Sequence, residues 1–175
     1  MRRLFSAALV LGVGLTLVPD LSAQADPRLE ALKDEAQEMV QDRAKLVQEI
    51  IDHLFSFGEL GMQEFETQRY LTDLLADEGF DIELGVAGMP SAWTARWSNG
   101  SGSPVIAMGS DVDGIPQSNQ KPGVAYRDPF LAMAPGLGEG HNSGQAVNIV
   151  GALVVKELME RENIDGTLLI WPGVA

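Results

Sequence analysis

The chain has 175 residues, 45% hydrophobic and 21% charged, a globular balance with enough length for one domain and a real core. Its 12 Lys and Arg stand against 25 Asp and Glu, a net charge of -13, with no visible basic patch for phosphate neutralisation, which argues against nucleic acid as a partner. Cysteine is absent, so disulfides, thiolate nucleophiles and thiolate ligands are excluded, and a metal site would have to use His and carboxylate oxygen.

The first 25 residues read as a signal peptide. Arg2 and Arg3 precede an apolar run from Phe5 to Val18, and Ala23-Gln24-Ala25 has the small-x-small form of a cleavage site. The apolar run is about 14 residues, short of the roughly 20 that span a bilayer, and Pro19-Asp20 ends it. The expectation is cleavage after Ala25, a periplasmic or secreted product, and no stable membrane insertion afterwards.

Residues 27–57 carry apolar side chains at three- and four-residue steps: Leu29, Leu32, Ala36, Met39, Val40, Val47, Ile50, Ile51 and Leu54. The pattern predicts one amphipathic helix. His53 near its end reads as a helix-terminal His without a ligand role. Phe57-Gly58-Glu59-Leu60-Gly61 breaks it. A second helix is expected from Glu64 to Glu78, with Phe65, Tyr70, Leu71, Leu74 and Leu75 inward and Gly79 as its C-terminal cap. Three strands are expected next, at Phe80–Val86, Ala92–Trp97 and Val105–Met108, with a strong turn at 99–103.

Residues 110–142 are loop-like, and so long a loop without regular structure usually serves a function. A third helix is expected over 145–161, capped by Asn142 or Ser143, with Val147, Val150, Val154 and Leu158 on a buried face. The continuous apolar run 167–171 reads as a central strand ended by Pro172-Gly173. Helices alternating with apolar strands predict an α/β fold with a mixed sheet and flanking helices, in which function gathers in loops at the strand ends.

Two short segments could carry chemistry. Asp111 and Asp113 follow the strand at 105–108 at i and i+2, so an extended backbone points both to one side. They could approach a cation or orient a ligand, or be an Asp-rich turn bonding its own backbone. Glu139-Gly140-His141 has the same spacing inside a glycine-rich turn: a carboxylate can bridge two ions while an imidazole terminates one, or the segment can be a polar loop on a helix start. A phosphate cradle at Gly136–Gly140 is weaker, because its glycines do not fit the dinucleotide spacing and Glu139 would repel phosphate. Ser143 lacks the surroundings of a hydrolase nucleophile.

Six segments in order along residues 30–175 resemble the amidohydrolase branch of the family-twenty zinc metallopeptidases, the group of aminobenzoyl-glutamate hydrolase and N-acyl-amino-acid amidohydrolases. They are Phe57–Gly61, Gln63–Thr67, Ala87–Pro90, Asp111–Pro116, Gly138–Asn142 and Trp171–Ala175. The resemblance implies that residues 26–175 are the N-terminal portion of a metallopeptidase catalytic domain. It further implies two zinc or similar divalent ions, a metal-activated water that hydrolyses an amide bond of a small-molecule substrate, and homodimeric full-length relatives. It makes Glu139 a bridging metal ligand and His141 a terminal one, with Asp113 a supporting residue in catalysis; Asp111 stands where sister enzymes hold a metal-binding His. Two departures follow. Leu137 stands where the group places His, and the Glu-Glu pair that supplies the general base lies past Ala175. The expectation is a chain inactive by itself, since losing the base costs roughly 10²–10⁴-fold. The alternative from a different class is an exported, non-catalytic binding or interaction domain that keeps an ancestral half-fold.

Overall fold

A computed structural model describes residues 26–174; the signal-peptide reading of residues 1–25 lies outside them. The elements in chain order are α1 (Pro27–Asp42), α2 (Ala44–Phe57), α3 (Phe65–Asp77), β1 (Asp81–Leu84), β2 (Trp93–Asn99), β3 (Val105–Asp111), α4 (His141–Glu162) and β4 (Gly166–Gly173). The strands form one mixed sheet in the order β1-β2-β4-β3. β2 pairs antiparallel with β1 and β4, and β3 runs parallel to β4, with Ala107 opposite Leu169. This is the α/β arrangement expected, with the 167–171 run between two neighbours.

The long first helix is in fact two. Arg43 sits at φ -95, ψ 12, outside the helical region, and its N–H bonds to Val40 and Gln41 carbonyls instead of continuing the ladder. Its guanidinium donates to the Met39 carbonyl and to Glu157 on α4. The break turns the apolar stripe off one line. No residue of α1 is buried, Leu29 is 49% exposed, and of the expected inward set only Ile50 and Leu54 on α2 are buried.

The α1 helix is held to α4 by a row of ion pairs: Arg28–Glu162, Arg161–Glu35 in a two-pronged contact, and Arg43–Glu157. Arg161 holds the Glu35 carboxyl below its ordinary value, and Arg28 followed by Arg161 does the same for Glu162.

α3 begins close to its expected position, but Phe65 is exposed while Leu71 and Leu75 are buried. Gly79 follows the helix at φ +84, a left-handed conformation that costs glycine little. The core is one cluster: Ile50, Leu54, Leu71 and Leu75 from the helices, Ile149, Val150 and Leu153 from α4, and Trp93, Ala95, Leu168 and Ile170 from one face of the sheet. That face alternates with a second one, as pleating requires.

Candidate metal centre

β3 and β4 are parallel, so their carboxyl ends lie side by side, with Asp111 opposite Gly173. A Cβ on Gly173 would strike the Asp111 carboxylate as it stands, so a side chain there would require Asp111 to turn away. Val112 N–H donates to the Gly173 carbonyl at 3.0 Å and its side chain is buried, which fixes the chain as it leaves the strand. Asp113 follows. Gly114 N–H then donates to the Glu59 carbonyl at 2.6 Å, tying this exit to the Phe57–Gly61 segment. The loop returns through a bridge between Ile115 and Gly136, so residues 116–135 form an excursion whose two ends lie together.

Gly140, at φ +103, is the N-terminal cap of α4, and His141 is its first helical residue. Helix α4 therefore starts four residues before the expected position, and neither Asn142 nor Ser143 caps it. Ser143 Oγ instead donates to the Gly140 carbonyl, and Asn142 Nδ2 donates to the Ile51 carbonyl. Val147 is 67% exposed, so the expected buried face holds only for Val150, Val154 and Leu158. Gly144 lies against Ser110 Oγ, which a Cβ there would strike, and this close approach seats the start of α4 on the end of β3.

The consequence is a convergence on one imidazole. His141 Nδ1 lies 2.9 Å from the Asp113 carbonyl oxygen, 3.0 Å from Glu139 Oε1 and 3.2 Å from Asp113 Oδ1. Nε2 lies 3.7 Å from Asp111 Oδ2. Both i, i+2 pairs thus meet at the same ring, Asp111 and Asp113 from opposite sides of it. With Nδ1 carrying the proton and donating to the Asp113 carbonyl, Nε2 keeps its lone pair toward Asp111. Glu139 Oε2 accepts from Gly138 N–H at 2.6 Å, so this carboxylate is held by its own loop. An open cleft of about 420 Å³ adjoins it, lined by Gly109, Ser110, Glu139, Ser143, Gly144 and Asn148 among others.

The chemistry of this set suits a cation. Three carboxylates surround a single ring, and among the described residues none of them is paired with Lys or Arg. Asp113 Oδ1 is buried and makes no hydrogen bond. An excess of oxygen charge of this kind favours a positive ion. The geometry supplies part of a site only. Among the described residues no three His, Asp or Glu side chains enclose one point, because Glu139 faces Nδ1 while Asp111 faces Nε2. Leu137 is 8% exposed and belongs to the core cluster, so it offers nothing to this centre.

Sequence reasoning passed over two acidic residues nearby. Glu59 accepts from the N–H groups of Glu66 and Thr67, both at 2.9 Å, and so caps α3 from a neighbouring loop. Glu64, 1% exposed, accepts from Ser91 Oγ with one oxygen and leaves the other without a partner. The capping role has a sequence signal, a Glu shortly before a helix start; the buried partnership has none, because Ser91 is distant in sequence. His53 stacks on Tyr70 at 4.4 Å and takes no part in the centre.

The fold that carries this centre has counterparts among metal-binding peptidases and aminohydrolases of known structure. Among solved structures, an M20-family dinuclear metal-binding peptidase from Bacillus subtilis matches with a TM-score of 0.54 and 20% identity, over 83% of this chain and 36% of that one. A protein from methicillin-resistant Staphylococcus aureus ascribed to the aminohydrolases matches with a TM-score of 0.64 and 18% identity, over 79% of this chain and 34% of that one. The aminobenzoyl-glutamate utilization protein of Klebsiella pneumoniae matches with a TM-score of 0.54 and 14% identity, over 78% of this chain and 38% of that one. These likenesses show the fold.

Among curated proteins, the chain is 29% identical over 127 residues to a p-aminobenzoyl-glutamate hydrolase subunit of Escherichia coli strain K12. That match covers 71% of this chain and 26% of the relative, so the chain spans about a quarter of the relative's length. No family model matches the chain. The resemblance drawn from the six segments is borne out by this relative and these structures.

Proposed function

We propose that this chain supplies part of the catalytic centre of an exported enzyme that hydrolyses the amide bond of an N-acyl amino acid or an aminobenzoyl-glutamate-like compound. The observation that carries the reading is the His141 ring, clamped at Nδ1 by Asp113 with Nε2 left open. Zinc or a similar divalent pair, when bound, would supply an activated water and polarise the amide carbonyl. His141 would present Nε2 as a ligand. Asp113 would fix the ring's tautomer and angle through its backbone carbonyl. Glu139 would be the carboxylate ligand after turning from Nδ1, which it faces in the structure while Gly138 N–H holds its other oxygen.

Among the described residues the donors are too few to hold two ions tightly, so these residues by themselves would be inactive in this reading. The acidic surface suits an exported, soluble protein, and the signal-peptide pattern at residues 1–25 supports a periplasmic or secreted location. Homodimer formation through a lid domain would belong to a longer enzyme.

The test combines metal binding with hydrolysis. Equilibrium dialysis of the chain against zinc should show weak uptake that Asp113→Asn reduces and His141→Ala removes, with no release of p-aminobenzoate from p-aminobenzoyl-glutamate. Zinc uptake unchanged by His141→Ala would sink the ligand assignment. Turnover by the chain alone would sink the claim of inactivity.

A further inference from the structure

We propose that Asn99 is a deamidation site governed by the fold: its carboxamide clamps the end of α4, and the Asn99-Gly100 pair converts it to a carboxylate when the clamp opens. The sequence holds one Asn-Gly pair, at the end of β2. With no side chain on Gly100, its backbone nitrogen can approach the Asn99 carboxamide carbon closely. The step balances within the chain and water. Gly100 nitrogen forms a bond to Asn99 Cγ, the Cγ–Nδ2 bond breaks, and ammonia leaves with the Gly100 proton. Water then opens the five-membered imide at either carbonyl, leaving aspartate or isoaspartate at this position.

The structure holds Asn99 away from that reaction. Its Nδ2 donates to the Ile164 carbonyl at 2.9 Å and to the Met159 carbonyl at 3.2 Å. Both acceptors lie at the carboxyl end of α4, where helix carbonyls run out of intrahelical donors. Asn99 also ends β2 in extended backbone, opposite Gly166 of β4, and imide closure requires its Cα–C bond to rotate out of that conformation. The turn beyond is fixed as well: Gly102 N–H donates to the Asn99 carbonyl at 3.0 Å, and Ser101 N–H donates to Asp165 Oδ2 at 3.1 Å. Cyclisation therefore requires the end of β2 and the corner between α4 and β4 to come apart together. Every donor and acceptor of this clamp lies among the described residues.

The fold uses both members of the reactive pair. Asn99 supplies two donors, and Gly100, at φ +56, takes a left-handed backbone that favours glycine. The product cannot rebuild the clamp. A carboxylate has no donor, and it would face two carbonyl oxygens at the negative end of the α4 dipole. Asp165 adds a second negative charge: Gly100 lies against its carboxylate, and hydrogen bonds from Ser101 hold that carboxyl below its ordinary value. Isoaspartate would also lengthen the backbone by one methylene and disturb the pairing of Asn99 with Gly166. An opening that ends in reaction thus leaves a chain that closes less well, a one-way record of unfolding at this corner.

Peptide mass spectrometry of the full chain, held at mildly alkaline pH with and without guanidinium chloride, tests this. The expected result is amide-to-acid conversion at position 99, with isoaspartate among the products, in denaturant, and conversion slower by roughly tenfold or more in the folded chain. Asn99→Asp should have a lower thermal midpoint than Asn99→Ala, because it adds repulsion to the loss of the donors, with faster amide exchange over 159–166. Three results would overturn the proposal: Asn99 intact in denaturant, conversion as fast in the folded chain as in denaturant, or Asn99→Asp no less stable than Asn99→Ala. Failure of Asn99→Asp to fold where Asn99→Ala folds is the expected order at its extreme, and the comparison with denaturant needs no variant.

Discussion

The two halves of the sheet differ in how completely they are finished. On the β1–β2 side the inner face is closed by α3 and the core, while the outer face carries Asp81, Glu83, Thr94 and Arg96, as a solvated surface should. On the β4–β3 side the inner face is packed near α4, but the outer face and the edge are apolar and open. The metal donors sit on this second side, at the carboxyl ends of β3 and β4 and the start of α4. A closed region thus adjoins one whose outer surface is apolar and exposed and whose carboxylates, among the described residues, lack Lys or Arg partners.

Stability measurements should separate the two sides first. Ile149→Ala, in the closed core, is expected to cost about 2–5 kcal/mol. Ile106→Ala, on the open edge, is expected to cost under about 1 kcal/mol in a monomer. Chemical denaturation of both variants checks the pair; equal losses would show that β3 is as fully packed as the core.

A second test bears on Leu137, the residue that departs from the family pattern. It is buried in the core cluster, so Leu137→His places an imidazole among apolar groups and should cost about 1–3 kcal/mol. The same denaturation series reads it. Gain of stability on adding zinc to that variant would mean instead that the His turns toward the donors.

Glu59 gives a smaller effect on the finished side. Its carboxylate holds two N–H groups of the first turn of α3, and Glu59→Ala should cost about 0.5–2 kcal/mol, the usual range for a lost cap. Faster hydrogen exchange confined to residues 65–68 would locate the loss.

The smallest effect concerns α1 and depends on pH. Arg161 and Arg28 hold Glu35 and Glu162 below their ordinary value of 4.5. Carboxyls shifted in this direction stabilise the fold above that ordinary value, and the contribution disappears as pH falls through the lowered folded values. Being exposed, the pairs contribute little in total and are screened by salt. Acidification should loosen α1 from α4 before the core unfolds, detected as amide exchange in 27–42 at a pH where residues 145–155 remain protected.

Much of the fold was legible because it rests on local pattern. The apolar run at 167–171 could only be an interior strand, and the steps at Leu71, Leu75, Val150 and Val154 mark real buried faces. The break at Arg43 was not legible, since Arg is a good helix former and the kink is made by contacts with Met39 and with Glu157 on another helix. Phe65 and Val147 misled for a related reason: periodicity says which face is apolar, while burial depends on what lies opposite. The start of α4 shifted because Gly140, by adopting φ +103, lets the helix begin directly at His141 without a side-chain cap.

The candidate centre was legible as two i, i+2 pairs, but not how they combine. Their meeting at one ring follows from the parallel β3–β4 pairing and from the Gly144–Ser110 approach, which are tertiary facts. That Asp113 holds Nδ1 through its backbone carbonyl has no sequence signature.

The claim that these residues form one part of a metal site is tested most directly by a zinc titration of the purified chain, followed by calorimetry, for the wild type and for His141→Ala. Weak uptake of fewer than two ions per chain, dependent on His141, is the expected result. Two tightly held zinc ions per chain, or binding that His141→Ala leaves untouched, would contradict it.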